Sequence, residues 1–195
     1  MAGLVEIRVT EDLLSRARCG EEAARAELYG LFAAATFGLI RRLLGGARAL
    51  AEDAFQETML TFFEQLATFR GEAPLGAWLR RIAVSKCLMC LRSPWQRARL
   101  DFGALAEEGA GVLLPLLVTP GPVPESLDLE RALARLSPTA RAVVWLYEVE
   151  GYSHEEIARA FDRSVSFSKS QLCRAHQRLR EWLEPASERQ TCTPN

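Results

Sequence analysis

Long apolar runs are missing from this 195-residue chain. The longest, VLLPLLV at 112–118, is interrupted by Pro115 and is far short of the roughly 18–20 residues that span a bilayer. No membrane insertion is expected. The opening MAGLVEIRVTEDLL has neither a basic start nor a continuous apolar core, so no signal peptide is read and a cytoplasmic location is expected. Lysine stands only at Lys86 and Lys169, and histidine only at His154 and His176. Gly-rich phosphate loops and nucleophile elbows are absent, and neither histidine has a catalytic partner in the sequence. The chain is therefore read as no enzyme, with no cofactor. Five cysteines, an odd number, argue against a disulfide framework. Cys87 and Cys90 have metal-ligand spacing, but a second such pair is lacking. They fall on the helix stripe Leu79, Ala83, Cys87 and Leu91 and are read as buried small hydrophobes rather than a metal site. Strand alternation, internal repeats and low-complexity tracts are also missing.

What is present suits a soluble globular protein: hydrophobic residues make up 49% and charged residues 25%. The length fits one medium domain or two small ones. The net charge of −1 conceals segregation. Residues 70–99 are basic apart from Glu72, and residues 159–180 are basic apart from Asp162. Between them, residues 101–130 carry acidic side chains and no basic one. Two basic blocks joined by an acidic connector suggest two anion-binding modules on a tether.

The expected fold is all-α, with two small helical domains at 10–100 and 127–184 and a flexible linker at 101–126. Thr10 caps a first short helix with Glu11 and Asp12 in its first turn. A second helix covers 21–44, with the stripe Leu28, Phe32, Ala35, Leu39 and Leu43, and Gly45-Gly46 ends it. A helix from about Leu75 to Arg92 stops ahead of Pro94. Gly103, Gly109, Gly111, Pro115, Pro120, Gly121, Pro122 and Pro124 break every period across 101–125, which is read as linker.

The stretch LAEDAFQETML (50–60) carries the most information. Phe55, Met59, Phe62 and Leu66 recur on one helical face. Glu52, Asp53, Gln56 and Glu57 form an acidic and amide patch on the other, as two i,i+4 pairs. FRGEAPLGAWLRRIA (69–83) inverts that chemistry, with Arg70 in a Gly-containing loop and then Trp78, Arg80 and Arg81. An acidic docking face followed by a basic, aromatic one suits a protein that recruits a polymerase to DNA. In the second half, Ser137-Pro138 starts a helix that Gly151 closes. Ser153 and Glu156 form a capping box, with Tyr152 and Ile157 placed as a hydrophobic staple. A short helix to about Phe161, a turn at Asp162-Arg163 and the long basic helix 164–183 make a helix-turn-helix.

LAEDAFQETML (50–60) and FRGEAPLGAWLRRIA (69–83), in that order, resemble region two of the extracytoplasmic-function (ECF) type of bacterial sigma factor. LSPTARAVVWLYEVEGYSHEEIARAFDRS (136–164) resembles region four of the same family. The likeness covers about residues 10–100 and 127–183. It implies a transcription initiation factor that binds core RNA polymerase and promoter DNA and opens the proximal element, with control by another protein, an anti-sigma factor. By position it implies polymerase docking by Glu52, Asp53, Gln56 and Glu57. The loop Leu66–Pro74 would capture a flipped base. The DNA-contact set would be Arg70, Trp78, Arg80, Arg81, Lys86, Ser153, His154, Phe167, Lys169, Ser170, Gln171, Arg174 and Arg178. On the last helix Val165, Leu172, Ala175, Leu179 and Trp182 are expected to be buried, opposite Phe167, Ser170 or Gln171, Arg174 and Arg178.

Four positions depart from the family pattern: Ser85 for an asparagine, Met89 for a polar residue, Ser168 for an apolar core residue and Gln171 for a basic one. A different class of function also fits some of the sequence, a metal- or redox-responsive helix-turn-helix regulator that recruits no polymerase. The acidic patch at Asp53 and Glu57 favours the sigma reading, and Cys87-Leu88-Met89-Cys90 favours the alternative.

Overall fold

The computed structural model describes residues 4–45, 48–93 and 124–183, and among these it contains helices and turns and no strand. The expected linker at 101–126, with its apolar segment 112–118, lies outside the described residues as far as residue 123. The chain divides into two compact units, Met1–Glu107 and Glu108–Asn195.

In the first unit, helix α1 (Glu11–Arg18) starts where the sequence places it, because the Thr10 hydroxyl accepts a hydrogen bond from the Leu13 amide at 3.3 Å. Helix α2 (Glu22–Leu44) ends at Gly45, whose φ of 68° is the left-handed C-cap that glycine adopts without a Cβ clash. Helices α3 (Arg48–Gln65) and α4 (Leu75–Arg92) pack against α2 and against each other. Between them the chain makes a single 3-10 turn, Leu66–Thr68, and then the loop to Pro74.

Phe32 and Phe62 are fully buried at the centre, their rings 6.2 Å apart. Burying each contributes about 1.5–3 kcal/mol. The α2 stripe is shifted slightly from expectation: Thr36 is fully buried and Ala35 only half-buried. On α4, Leu79, Ala83, Cys87 and Leu91 are all buried, so both cysteines of the CxxC segment lie in the core. Desolvation, with the Cys90 thiol as a second cause, pushes the Cys87 thiol far above its ordinary value.

The unit also begins earlier than residue 10. A 3-10 turn at Leu4–Glu6 buries Leu4 and packs on α4. Three residues are too few to show a hydrophobic period, which is why the pattern did not reveal them.

The second unit contains α5 (Pro124–Ala134), α6 (Pro138–Val144), α7 (His154–Phe161) and α8 (Val165–Leu183). Helix α5 begins three residues ahead of the expected boundary at residue 127. Ser137 caps α6 by accepting from the Ala140 amide at 3.4 Å, with Pro138 at the first position. Helix α6 then widens into a π-helical segment, Trp145–Val149, before Gly151 at φ 70° turns the chain. The Ser153–Glu156 capping box is complete, with bonds of 3.2 and 2.8 Å. Asp162, at φ 53°, makes the turn of the helix-turn-helix.

Helix α8 packs against α5, α6 and α7. Its buried residues are Ser168, Leu172, Ala175 and Leu179, while Val165 and Trp182 are half-buried. Arg141 is buried in this core and bonds the Ala134 carbonyl at 3.4 Å, which ties α6 to the end of α5. Desolvation lowers its pKa to about 10, so it remains charged at neutral pH.

Candidate functional site

On α3 the amphipathic split positions the acidic patch. Ala51, Ala54, Thr58, Met59 and Phe62 face the core, and Phe55 is half-buried, its ring 5.5 Å from Phe37 and 6.1 Å from Tyr29. Asp53, Gln56 and Glu57 are exposed as a result, one turn apart. Glu52 is half-exposed and accepts from Arg48 at 2.7 Å. Glu57 lies 3.6 Å from the Lys86 ammonium of α4. This pair joins two residues to which the sequence assigned different duties, docking and DNA contact. In solvent such a pair contributes at most about 1 kcal/mol, so the packing of α3 on α4, rather than this pair, holds the acidic row beside α4.

The corner between α3 and α4 is an aromatic cluster. Trp78 lies 5.6 Å from Phe62 and 5.1 Å from Phe69 between ring centroids, half-buried with one part in the core. Arg70 is exposed, with Glu72 at 3.8 Å. Arg81 is exposed and Arg80 half-buried. Arg81, Ser85, Met89 and Arg92 form one exposed stripe of α4. Two of the departures from the family pattern, Ser85 and Met89, therefore change the outer surface of this helix and leave its packing alone.

In the second unit the structure places the expected residues in three ways. Lys169, Ser170, Arg174 and Arg178 are exposed on α8. The Ser170 carbonyl and hydroxyl accept from Arg174 at 3.1 and 3.4 Å, folding that guanidinium along the helix. Phe167 and Gln171 are only half-buried, and Phe167 packs 5.9 Å from Phe161. The outermost line of α8 thus differs from expectation and includes Ser166, Ser170, Cys173, Arg174 and Gln177. The buried line Leu172, Ala175 and Leu179 is where the sequence places it, and Ser168 continues it towards the helix start; the side opposite that line, at 3.6 residues per turn, runs through Ser166, Ser170, Cys173 and Gln177. Ser166, Cys173 and Gln177 are exposed on this side and were not among the expected residues.

Ser153 and His154 have structural duties. Ser153 is the N-cap of α7. The His154 Nδ1 is 3.0 Å from the buried Ser168 hydroxyl, and its ring stacks on Tyr147 at 4.5 Å and 21°. The apolar position that Ser168 replaces is thus occupied by a hydrogen-bonded polar pair, which satisfies the rule that buried polar groups are partnered.

Among the described residues no group of three or more His, Cys, Asp and Glu side chains is placed to hold a metal ion. No described helix is long and apolar enough to cross a membrane. The acidic row can meet a basic protein surface, the aromatic and arginine corner can stack and neutralise a nucleic acid, and the exposed edge of α8 can enter a groove.

Two family models match the chain: Sigma-70 region 2 over residues 28–97, and Sigma-70, region 4, over residues 126–179. The chain is 32% identical over 144 residues to the ECF RNA polymerase sigma factor SigM of Mycobacterium tuberculosis, covering 74% of this chain and 69% of that protein. It is 30% identical over 172 residues to the RNA polymerase sigma factor CarQ of Myxococcus xanthus, covering 87% and 95% of the two. The sigma factor RpoE of Bartonella quintana, solved in complex with the anti-sigma factor NepR, shares the fold. Its TM-score is 0.52 at 22% identity, over 81% of this chain and 95% of that one.

Proposed function

The chain belongs to the ECF family of RNA polymerase sigma factors, and from that premise we propose how its parts divide the work of initiation. It is a transcription initiation factor that directs RNA polymerase to promoters. The first unit docks core polymerase through Asp53, Gln56 and Glu57, with Glu52 and its Arg48 partner at the edge of the patch. It captures a flipped base of the proximal element in the loop 66–74. Trp78, Arg70, Arg80, Arg81 and Lys86 meet the opening strands by stacking and charge, and stacking is worth about 1–3 kcal/mol per base. The second unit reads the distal element with α8, where Ser170, Gln171 and Arg174 approach bases and Lys169 and Arg178 meet phosphates. An anti-sigma protein is the expected source of control.

The observation that carries this reading lies within the first unit. An exposed acidic row on α3 sits against Lys86 of α4, and α4 opens with the aromatic and arginine corner. One rigid module therefore presents polymerase-type and DNA-type chemistry side by side.

The test is charge reversal. Asp53→Lys with Glu57→Lys should abolish co-purification with core polymerase and promoter-directed transcription, while helical content by circular dichroism stays unchanged. Close charge pairs across an interface couple by about 1.5–7 kcal/mol, so the loss should exceed tenfold in affinity. Undiminished binding to core polymerase would remove the docking role from α3.

A further inference from the structure

The match to Sigma-70 region 2 begins at residue 28, so the turn at Leu4–Glu6 and helix α1 lie ahead of it. Both nevertheless contact the corner between α3 and α4. Arg18, the last residue of α1, donates from its Nη2 to the backbone carbonyl of Phe69, and its guanidinium lies 5.6 Å from the centre of the Phe69 ring. Phe69 packs in turn against Trp78, the two rings tilted and 5.1 Å apart. The Arg18 Nε is buried and has no hydrogen-bond partner among the described residues. The guanidinium is thus partly stripped of water, and Phe69 supplies its visible compensation.

The second contact is at Gly76, in the first turn of α4. A Cβ added there would run into the Leu4 carbonyl and come within 3.2 Å of Phe32. The glycine is the notch in which the chain's first turn is seated. Leu4 and Gly76 are both buried.

We propose that residues 4–18 form a brace that holds the 66–78 corner in its DNA-competent shape, with Arg18 as a positioning residue acting on Trp78 through Phe69. The connection from residue 66 to residue 74 has a single 3-10 turn as its only regular structure, and such a segment on its own samples many conformations. Pinning the carbonyl and ring of Phe69 from outside removes much of that freedom before DNA arrives, which is how preorganisation raises affinity and selectivity. Arg18 itself touches no DNA. Its planar guanidinium can donate to a carbonyl and face an aromatic ring at once, which a lysine ammonium does less well.

The inference rests on the reading of loop 66–74 as the base-capture element, and the experiment separates the two. Full-length wild type, Arg18→Ala, Arg18→Lys and Arg70→Ala are compared in two measurements. Amide hydrogen exchange is followed in the free proteins. Promoter opening is followed by fluorescence of a base analogue across single-base variants of the proximal element, with saturating core polymerase.

For Arg18→Ala, exchange at 66–74 should quicken by about tenfold while the cores of α2 and α3 keep their protection. The ratio of opening rates between the preferred base and its best competitor should fall by about fivefold or more, since small misplacements of positioning groups have large kinetic effects. Arg18→Lys should recover part of both.

Unchanged exchange in the loop, or faster exchange spread evenly over α1–α4, overturns the brace. So does unchanged base discrimination in Arg18→Ala when Arg70→Ala alters it, and the capture reading then stands. If neither variant alters discrimination or opening, the capture reading of the loop falls and the brace's role in promoter opening falls with it.

Discussion

At the scale of single residues, burial sorts the candidates more sharply than residue type does. Arg70, Arg81, Arg174 and Arg178 are exposed and keep their charge available to phosphates. Gln171 is half-buried beside the α8 seam. A bidentate amide pairing with adenine discriminates one base, whereas a guanidinium on the backbone does not. Gln171→Ala should therefore change preference at one position of the distal element by about 1–3 kcal/mol. Arg178→Ala should weaken all sequences alike and flatten the salt dependence by about one unit of slope. Competition binding against single-base variants at two salt concentrations checks both. An equal loss on every variant for Gln171→Ala would move base reading to the outermost line, Ser170 and Arg174.

At the scale of elements, a polar pair at the edge of the core links the two helices of the helix-turn-helix. His154 at the start of α7 and Ser168 in α8 share a hydrogen bond of 3.0 Å, and Tyr147 covers the imidazole. Removing His154 leaves the buried Ser168 hydroxyl without this partner, which costs about 1–3 kcal/mol, whereas the half-buried His154 can turn to water when Ser168 is removed. His154→Ala should destabilise the second unit by about that amount, and Ser168→Ala by less. The double variant should lose less than the sum, since each single change already breaks the same bond. Denaturant unfolding of the four proteins in the cycle measures the coupling, and strict additivity would show that the contact contributes nothing.

On the scale of the whole molecule, each of the two units has its own buried core. Small domains with separate cores unfold as separate cooperative transitions. The full chain should accordingly give a calorimetric enthalpy larger than the van't Hoff value for a single step. Ser153→Ala removes the N-cap of α7, at about 1 kcal/mol, and should lower only the transition of the second unit, by about 4–8 °C for a unit of this size. A uniform shift of the entire melting profile would show that the units unfold together. The net charge of −1 adds that specificity cannot come from bulk attraction to DNA. The arginines must work locally.

Periodicity, caps and glycine or proline breaks are local, and they made the described helices, the two-module plan and the helix-turn-helix legible in the sequence. Thr10, Ser137 and Ser153 are caps because each side chain reaches only three residues ahead, a distance that sequence spacing encodes directly. The acidic row Asp53, Gln56 and Glu57 was equally readable, since a helix repeats every 3.6 residues. Contacts between distant segments were not. The pairing of Glu57 with Lys86, the Leu4 turn seated at Gly76 and the Arg18 guanidinium on Phe69 depend on how helices lie against one another. A long side chain can reach any neighbour the packing brings near. Only the tertiary structure decides which one that is.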